Sequence, residues 1–154
     1  LRLGHVFLNV SIWSGGGVPA ALKRAAVNFE GWFPSGPGNG KDWSAGWAQI
    51  LDHARDAGRD PAGLTGAAYI TVAVNNDNAK ANAELDRYLE SYYNQPAERI
   101  RTQQYCFAGN RGEVTEWLSD FVVGGATHLS LRFTGTDDDR QMETLVEMRD
   151  EISR

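Results

Sequence analysis

The hydrophobic and polar positions of this chain repeat with two different periods, and the period changes several times between one end and the other. Two mostly apolar runs, residues 6–13 and 67–74, are typical of buried strands. Residues 127–133 alternate apolar and polar side chains, which predicts a further strand, and residues 32–33 predict a very short one. The pattern therefore predicts about four strands.

Between these strands, apolar residues recur at helical spacing. The first helix is predicted over residues 19–29, and the second begins at Asp42, its expected N-cap, and ends at Gly58, its expected C-cap. Two later helices follow Asp77 and the acidic residues 137–139, which are their expected caps. Another helix is predicted by the apolar positions Val114, Trp117, Leu118, Phe121 and Val122.

Strands and helices thus alternate along the chain, an order that predicts a parallel α/β sheet with right-handed crossovers. Residues 95–109 fit neither period, and their structure is left open. Neither a repeat nor a linker divides the sequence, so residues 1–154 are expected to form a single domain. Two architectures remain: half of a closed (β/α)8 barrel, which as a whole takes about 250 residues, or a small open doubly wound sheet.

Composition and charge exclude several classes of protein. The 154 residues are 42% hydrophobic with a formal net charge of −5, which argues against a surface built to coat nucleic acid or an anionic membrane. The single cysteine, Cys106, excludes an internal disulfide, and the three histidines show no zinc spacing. No apolar run is long enough for a membrane helix, so a cytoplasmic protein without a metal is expected. The chain begins with Leu1 rather than Met, which indicates processing or a piece of something longer.

A glycine run between the first strand and the first helix is the clearest candidate for chemistry. Three glycines let the backbone approach a ligand closely, and Pro19 suits the first helical turn, where free N–H groups attract an anion. The candidate phosphate-binding residues are Ser14, Gly15, Gly16, Gly17 and Val18. The same residues also suit a tight turn with no ligand, and the run alone does not separate the two interpretations.

Four stretches, taken together, resemble the bacterial-luciferase-like monooxygenase family. They are residues 12–26 (Ile-Trp-Ser-Gly-Gly-Gly-Val-Pro-Ala-Ala-Leu-Lys-Arg-Ala-Ala) with Gly-Trp-Phe-Pro at 31–34, Ala-Gly-Arg-Asp-Pro at 57–61, the strand 69–74 with Asp77, and Gly-Gly-Ala-Thr-His-Leu at 124–129 with Arg132. The resemblance covers essentially the whole chain. It implies the C-terminal half of the family's (β/α)8 barrel, from about the fifth strand to the last helix.

This sequence departs from the family's pattern at two places and lacks one large part of it. Asn-Phe-Glu at residues 28–30 replaces the family's usual small residue and aspartate, and residues 1–10 lack the usual proline-rich approach. The family's strands one to four, which supply most groups near the flavin ring, have no counterpart in this sequence. The resemblance therefore implies catalysis only where a partner restores that half.

For the sites, the resemblance implies that the cofactor phosphate binds the backbone of residues 14–18, in agreement with the glycine run. The cofactor would be flavin mononucleotide (FMN) or the deazaflavin coenzyme F420, or none in the isolated chain. Candidate substrate-side residues at the C-terminal ends of the strands are Trp32, Lys41, Arg132 and Arg140. For Arg132, a bridge to carboxylates across the interior is an equal alternative.

The remaining reactive side chains favour structural roles. Cys106 has no neighbouring histidine and is expected to be inert, and His128 is expected to be structural. Consecutive carboxylates at 137–139 point in different directions, so no metal site is predicted there. The leading hypothesis is a partial luciferase-like oxidoreductase, a flavin- or deazaflavin-dependent monooxygenase or dehydrogenase acting on a small organic substrate. The alternative is a non-catalytic half-barrel or dimerisation module, and a homodimer or a missing N-terminal half-barrel partner is expected because unpaired strand edges invite pairing.

Overall fold

A parallel sheet forms the centre of the protein in a computed structural model that describes residues 10–135 and 138–152. Its strands are β1 (Trp13–Ser14), β2 (Gly31–Trp32), β3 (Thr65–Val74), β4 (Cys106–Gly109) and β5 (His128–Phe133). Every strand pair in this sheet is parallel, which confirms the predicted α/β class. Across the described residues, no helix combines the length and apolar character needed to cross a bilayer.

The long strand β3 organises the sheet because it pairs with β2, β4 and β5. The N–H groups of Thr65 and Tyr69 donate to the carbonyls of Glu30 and Pro34, which flank β2. The N–H of Thr71 donates to the carbonyl of Tyr105, just before β4. Since alternate N–H groups of a strand point to the same side, β2 and β4 lie end to end along one edge of β3, and β5 occupies the other.

Six helices follow or connect the strands. They are α1 (Pro19–Asn28), α2 (Gly40–Asp56), α3 (Asn78–Tyr93), α4 (Ala97–Arg101), α5 (Arg111–Val123) and α6 (Asp138–Ile152), with a 3-10 turn at Pro61–Gly63. Asp77 caps α3, as predicted, since its carboxylate accepts from the N–H groups of Ala79 and Lys80. The expected cap at residues 137–139 lies partly outside the described residues.

The start of α2 corrects one prediction. Asn39, and not Asp42, is the N-cap: its side-chain oxygen accepts from the N–H groups of Lys41 and Asp42 at 2.8 and 3.3 Å. Asp42 completes a capping box by accepting from the N–H of Asn39 at 3.0 Å. At the other end Ala57 is the C-cap, and Gly58, at φ +72°, is the next residue.

Two other differences concern strands. Of the predicted strand 6–13, the structure describes residues 10–13, and among these only Trp13, where β1 begins, belongs to a strand. Residues 1–9 lie outside the described part. Residues 95–109, left open above, contain α4 and β4. These elements have five and four residues, too few to establish a hydrophobic period.

Side chains of β3 pack on both faces of the sheet. Ala68, Ile70 and Val72 belong to the larger core cluster with α1, α2 and α5, which Leu129, Leu131 and Phe133 of β5 also join. Ala73, on the opposite face, packs with side chains of α3 and α4. Helices therefore cover one face broadly, while α3 and α4 cover only part of the other.

Three stacked indoles hold α2 against the sheet. Trp32 of β2 lies 5.6 Å from Trp43, which lies 5.7 Å from Trp47, measured between ring centroids. The indole N–H of Trp43 also donates to the carbonyl of Ala67 at 3.0 Å. Gly66 makes room for this stack, because a Cβ there would lie 2.9 Å from the ring of Trp43.

Gly66→Ala is therefore expected to lower the free energy of unfolding by about 1 to 3 kcal/mol, since a buried indole cannot move aside without losing its packing. Denaturant unfolding measures the change. Gly63→Ala is the matched control, because no heavy atom lies within 4 Å of a Cβ at that position. Equal stabilities of the two variants would contradict this account of the stack.

Candidate functional site

The glycine loop, residues 14–18, joins the end of β1 to the start of α1. Val18 is the N-cap of α1 without any side-chain hydrogen bond, and Pro19 occupies the first turn. Gly15, Gly16, Gly17 and Val18 are exposed. Within the described part of the chain, the N–H groups of Gly16, Gly17 and Val18 donate to no protein acceptor. Free N–H groups on exposed residues at a helix N-terminus fit the requirements of a phosphate.

Two hydrogen bonds, donated by the last residue of β2 and by the residue after it, anchor the glycine loop. The N–H of Phe33 donates to the carbonyl of Ser14 at 2.9 Å, and the indole N–H of Trp32 donates to the carbonyl of Gly16 at 2.8 Å. Gly16 has φ +91°, a conformation that glycine adopts without strain. Around a Cβ at Gly17 there would be no heavy atom within 4 Å. One side of the loop is thus anchored, and the other is open to a ligand.

The second candidate region is the inner face, the part of the sheet opposite α1, α2 and α5. Four aromatic rings on this face contact one another. Between ring centroids, Trp13 lies 6.2 Å from Phe33 and 5.2 Å from His128, and Phe33 lies 6.0 Å from Tyr69. All four side chains are partly or largely exposed. The inner face therefore presents aromatic surface to whatever lies against it.

Arg132 lies on the inner face inside a cage of tyrosine rings. Its guanidinium carbon is 4.5 Å from the ring centroid of Tyr92, 5.1 Å from that of Tyr69 and 5.8 Å from that of Tyr88. Among the described residues it forms no ion pair, and its buried Nη1 has no hydrogen-bond partner. Burial raises the pKa values of Tyr69 and Tyr88, and the charge of Arg132 partly offsets this effect. The structure thus surrounds Arg132 with aromatic rings rather than with the carboxylates considered above.

The other substrate-side candidates are not brought together. Trp32 is 2% exposed and lies under the glycine loop, where it also lines a cleft of about 390 Å³ with Gly17 and Pro37. Lys41 is exposed in the first turn of α2. Arg140, in the first turn of α6, lines a separate cleft of about 310 Å³.

The tyrosines around Arg132 were not singled out from the sequence as site residues. Tyr88 and Tyr92 have helical spacing on α3, a pattern that indicates core packing, whereas Tyr92 is 58% exposed. Burial raises the pKa of the Cys106 thiol, which disfavours a reactive thiolate. Within residues 10–135 and 138–152, no group of three acidic, cysteine or histidine side chains is arranged to hold a metal.

Comparison with known proteins gives the family. A family model described as luciferase-like monooxygenase matches residues 6–148. The chain belongs to the luciferase-like monooxygenase family. No curated protein matches it.

Solved structures of this family share the fold. An F420-dependent secondary alcohol dehydrogenase, in complex with an F420-acetone adduct, superposes with a TM-score of 0.74 at 18% identity, covering 92% of this chain and 48% of its own. The long-chain alkane monooxygenase LadA gives 0.68 at 16% identity, covering 92% and 41%. The EDTA monooxygenase EmoA from Chelativorans sp. BNC1 gives 0.65 at 12% identity, covering 92% and 44%. This member of the family spans about half the length of these structures, which agrees with a half-barrel rather than an open doubly wound sheet.

Tyr105, which lines the cleft beside the glycine loop, gives a pH-dependent prediction. Burial, and secondarily the Asp42 carboxylate, raise the pKa of Tyr105 from 10.0 to about 12. The unfolded chain therefore loses the phenol proton first, so the free energy of unfolding falls as the pH rises from about 10 to about 12. We expect Tyr105→Phe to reduce this fall by about 2 kcal/mol, measured by denaturant unfolding across that range. Parallel curves for the variant and the wild type would show that Tyr105 titrates alike in both states.

Proposed function

We propose that this chain is the phosphate-binding half of a luciferase-like oxidoreductase, an FMN- or F420-dependent monooxygenase or dehydrogenase that acts on a small organic substrate. The observation that carries the proposal is the glycine loop, where Gly16, Gly17 and Val18 are exposed residues whose N–H groups donate to no acceptor in the described part of the chain. Solved relatives are described with F420 or with a modified FMN, which supports a cofactor of this class.

In this proposal, the backbone of residues 14–18 binds the cofactor phosphate, and the start of α1 favours its negative charge. The cofactor supplies the redox chemistry when bound, and the protein orients it and excludes water. The aromatic inner face of Trp13, Phe33 and Tyr69 suits a flat ring system placed against it. Arg132 is the substrate-side residue that the surroundings support best, since it is charged, lies on that face and has no carboxylate partner among the described residues. The substrate-side roles of Lys41 and Arg140 stay predictions.

The proposed partner is a second copy of this chain or a separate N-terminal half-barrel. In the described sheet, β1 pairs only with β2 and β5 only with β3, so each has an unpaired edge. Ile12 beside β1 is 57% exposed, and on α6 Met142 and Val146 are 58% and 52% exposed. Apolar side chains and unpaired edges at both ends of a sheet favour association.

Cofactor binding is tested at Gly17, where a side chain meets no steric obstacle. We expect the wild type to bind FMN or F420 and Gly17→Asp to lose at least about tenfold in affinity, because its carboxylate repels the phosphate. Gly17→Asn has the same size without the charge and should retain the affinity within about threefold. Cofactor fluorescence provides the measurement.

If neither cofactor binds the wild-type chain, the non-catalytic half-barrel becomes the better interpretation. Equal losses in the Asp and Asn variants would instead contradict a phosphate at this loop.

Self-association is tested by light scattering. We expect the purified chain of 16.9 kDa to form a dimer at about 100 μM, and Ile12→Lys to shift it toward the monomer by placing a charge at the β1 edge. Val123→Lys is the control, since Val123 is 88% exposed and belongs to α5 rather than to either edge strand. A monodisperse monomer at this concentration counts against pairing with a second copy.

A further inference from the structure

Trp32 makes a contact with the glycine loop that no sequence pattern indicates. Its indole N–H donates to the carbonyl of Gly16 at 2.8 Å, across sixteen positions of sequence. The indole cannot easily move, because it is 2% exposed and stacks on Trp43 at 5.6 Å with an interplanar angle of 30°. The backbone of α2 at Gly46 also packs closely against this indole, since a Cβ there would lie 2.8 Å from the ring of Trp32. The loop therefore rests on a rigid donor.

This hydrogen bond fixes the direction of the next N–H group. In a planar trans peptide, the carbonyl of Gly16 and the N–H of Gly17 point in opposite directions. With the carbonyl bound to the buried indole, the N–H of Gly17 points away from Trp32, toward the exposed side of the loop.

Without that bond, the peptide between Gly16 and Gly17 has little to fix it. Glycine adopts many backbone conformations at low cost, so a peptide with glycine on both sides turns over readily. The turned peptide would present the Gly16 carbonyl, a partial negative charge, to an incoming anion. The indole N–H stabilises only the orientation in which an N–H faces the ligand.

We propose that Trp32 is a positioning residue that sets the glycine loop for phosphate binding, acting through the Gly16–Gly17 peptide rather than by touching substrate. The inference rests on the proposed function, because it needs a phosphate at the loop. It gives Trp32 a different role from the substrate-side one that its place at the C-terminal end of a strand suggested.

Trp43 provides a matched control for this role. Like Trp32, it is a buried member of the indole stack, and its N–H donates to a backbone carbonyl, that of Ala67 at 3.0 Å. Its hydrogen bond does not reach the glycine loop. Trp32→Phe and Trp43→Phe thus each remove one indole N–H from the same stack, but only the first affects the Gly16–Gly17 peptide.

The experiment compares each cofactor with a phosphate-free counterpart: FMN with riboflavin, which differ by the phosphate alone, and F420 with the deazaflavin that lacks the phosphodiester and the side chain attached to it. Affinities come from fluorescence titration of the full chain for the wild type and both variants. We expect Trp32→Phe to weaken binding of the phosphorylated cofactor about tenfold and to leave the phosphate-free compound unchanged. Trp43→Phe should keep the wild-type ratio even if its melting temperature falls. A general loss of packing would lower both affinities together.

A wild-type ratio in folded Trp32→Phe would overturn the inference while leaving the phosphate site intact. No preference for the phosphorylated compound in the wild type would remove the site itself, and the inference with it. Should Trp32→Phe fail to fold, amide resonances of the wild type are followed during titration with inorganic phosphate. The N–H of Gly17 is then expected to shift most, and an unchanged Gly17 resonance would refute the proposal.

Discussion

The stacking of Trp32 on Trp43 is the interaction on which both the fold and the candidate site depend. The rings join β2 to α2, and the hydrogen bond from Trp43 to the carbonyl of Ala67 extends the contact to β3. Gly46 and Gly66 have no side chain where the rings lie, so the close approach of helix and sheet requires glycine at both positions. The same stack holds the indole of Trp32 in place, and the hydrogen bond from that indole orients the Gly16 carbonyl in the exposed loop after β1.

The two faces of the sheet carry different chemistry for a physical reason. On the α1, α2 and α5 side, apolar side chains of β3 and β5 are covered, and the burial of that surface stabilises the fold. On the inner face, α3 and α4 cover only one end, which leaves aromatic rings and Arg132 partly exposed. Such a surface is costly for an isolated domain. It is expected of a domain that places a ligand or another chain there.

The sequence predicted what depends on local spacing and missed what depends on distant contacts. The period of apolar residues was sufficient for the parallel order and for α1, and the glycines with Pro19 indicated the loop. The sequence did not show which of Asn39 and Asp42 is the N-cap of α2, because both are good capping residues and they stand at capping-box spacing. The tyrosine cage around Arg132 joins β3, α3 and β5, and the hydrogen bond from Trp32 to Gly16 joins β2 to the glycine loop. Because these contacts join residues of different elements, the periodicity within a single helix or strand does not predict them.

A backbone site of this kind also limits what the chain alone selects. In the proposed site, peptide N–H groups bind the cofactor phosphate and do not contact the ring, flavin or deazaflavin, that sets FMN apart from F420. Under the proposed function, discrimination must come from surfaces that meet the ring, and the candidates on this chain are the inner-face aromatics and Arg132. In the proposed assembly, a partner at the unpaired edges of β1 and β5 completes this pocket, so the choice of cofactor and of substrate depends on the assembly rather than on the glycine loop.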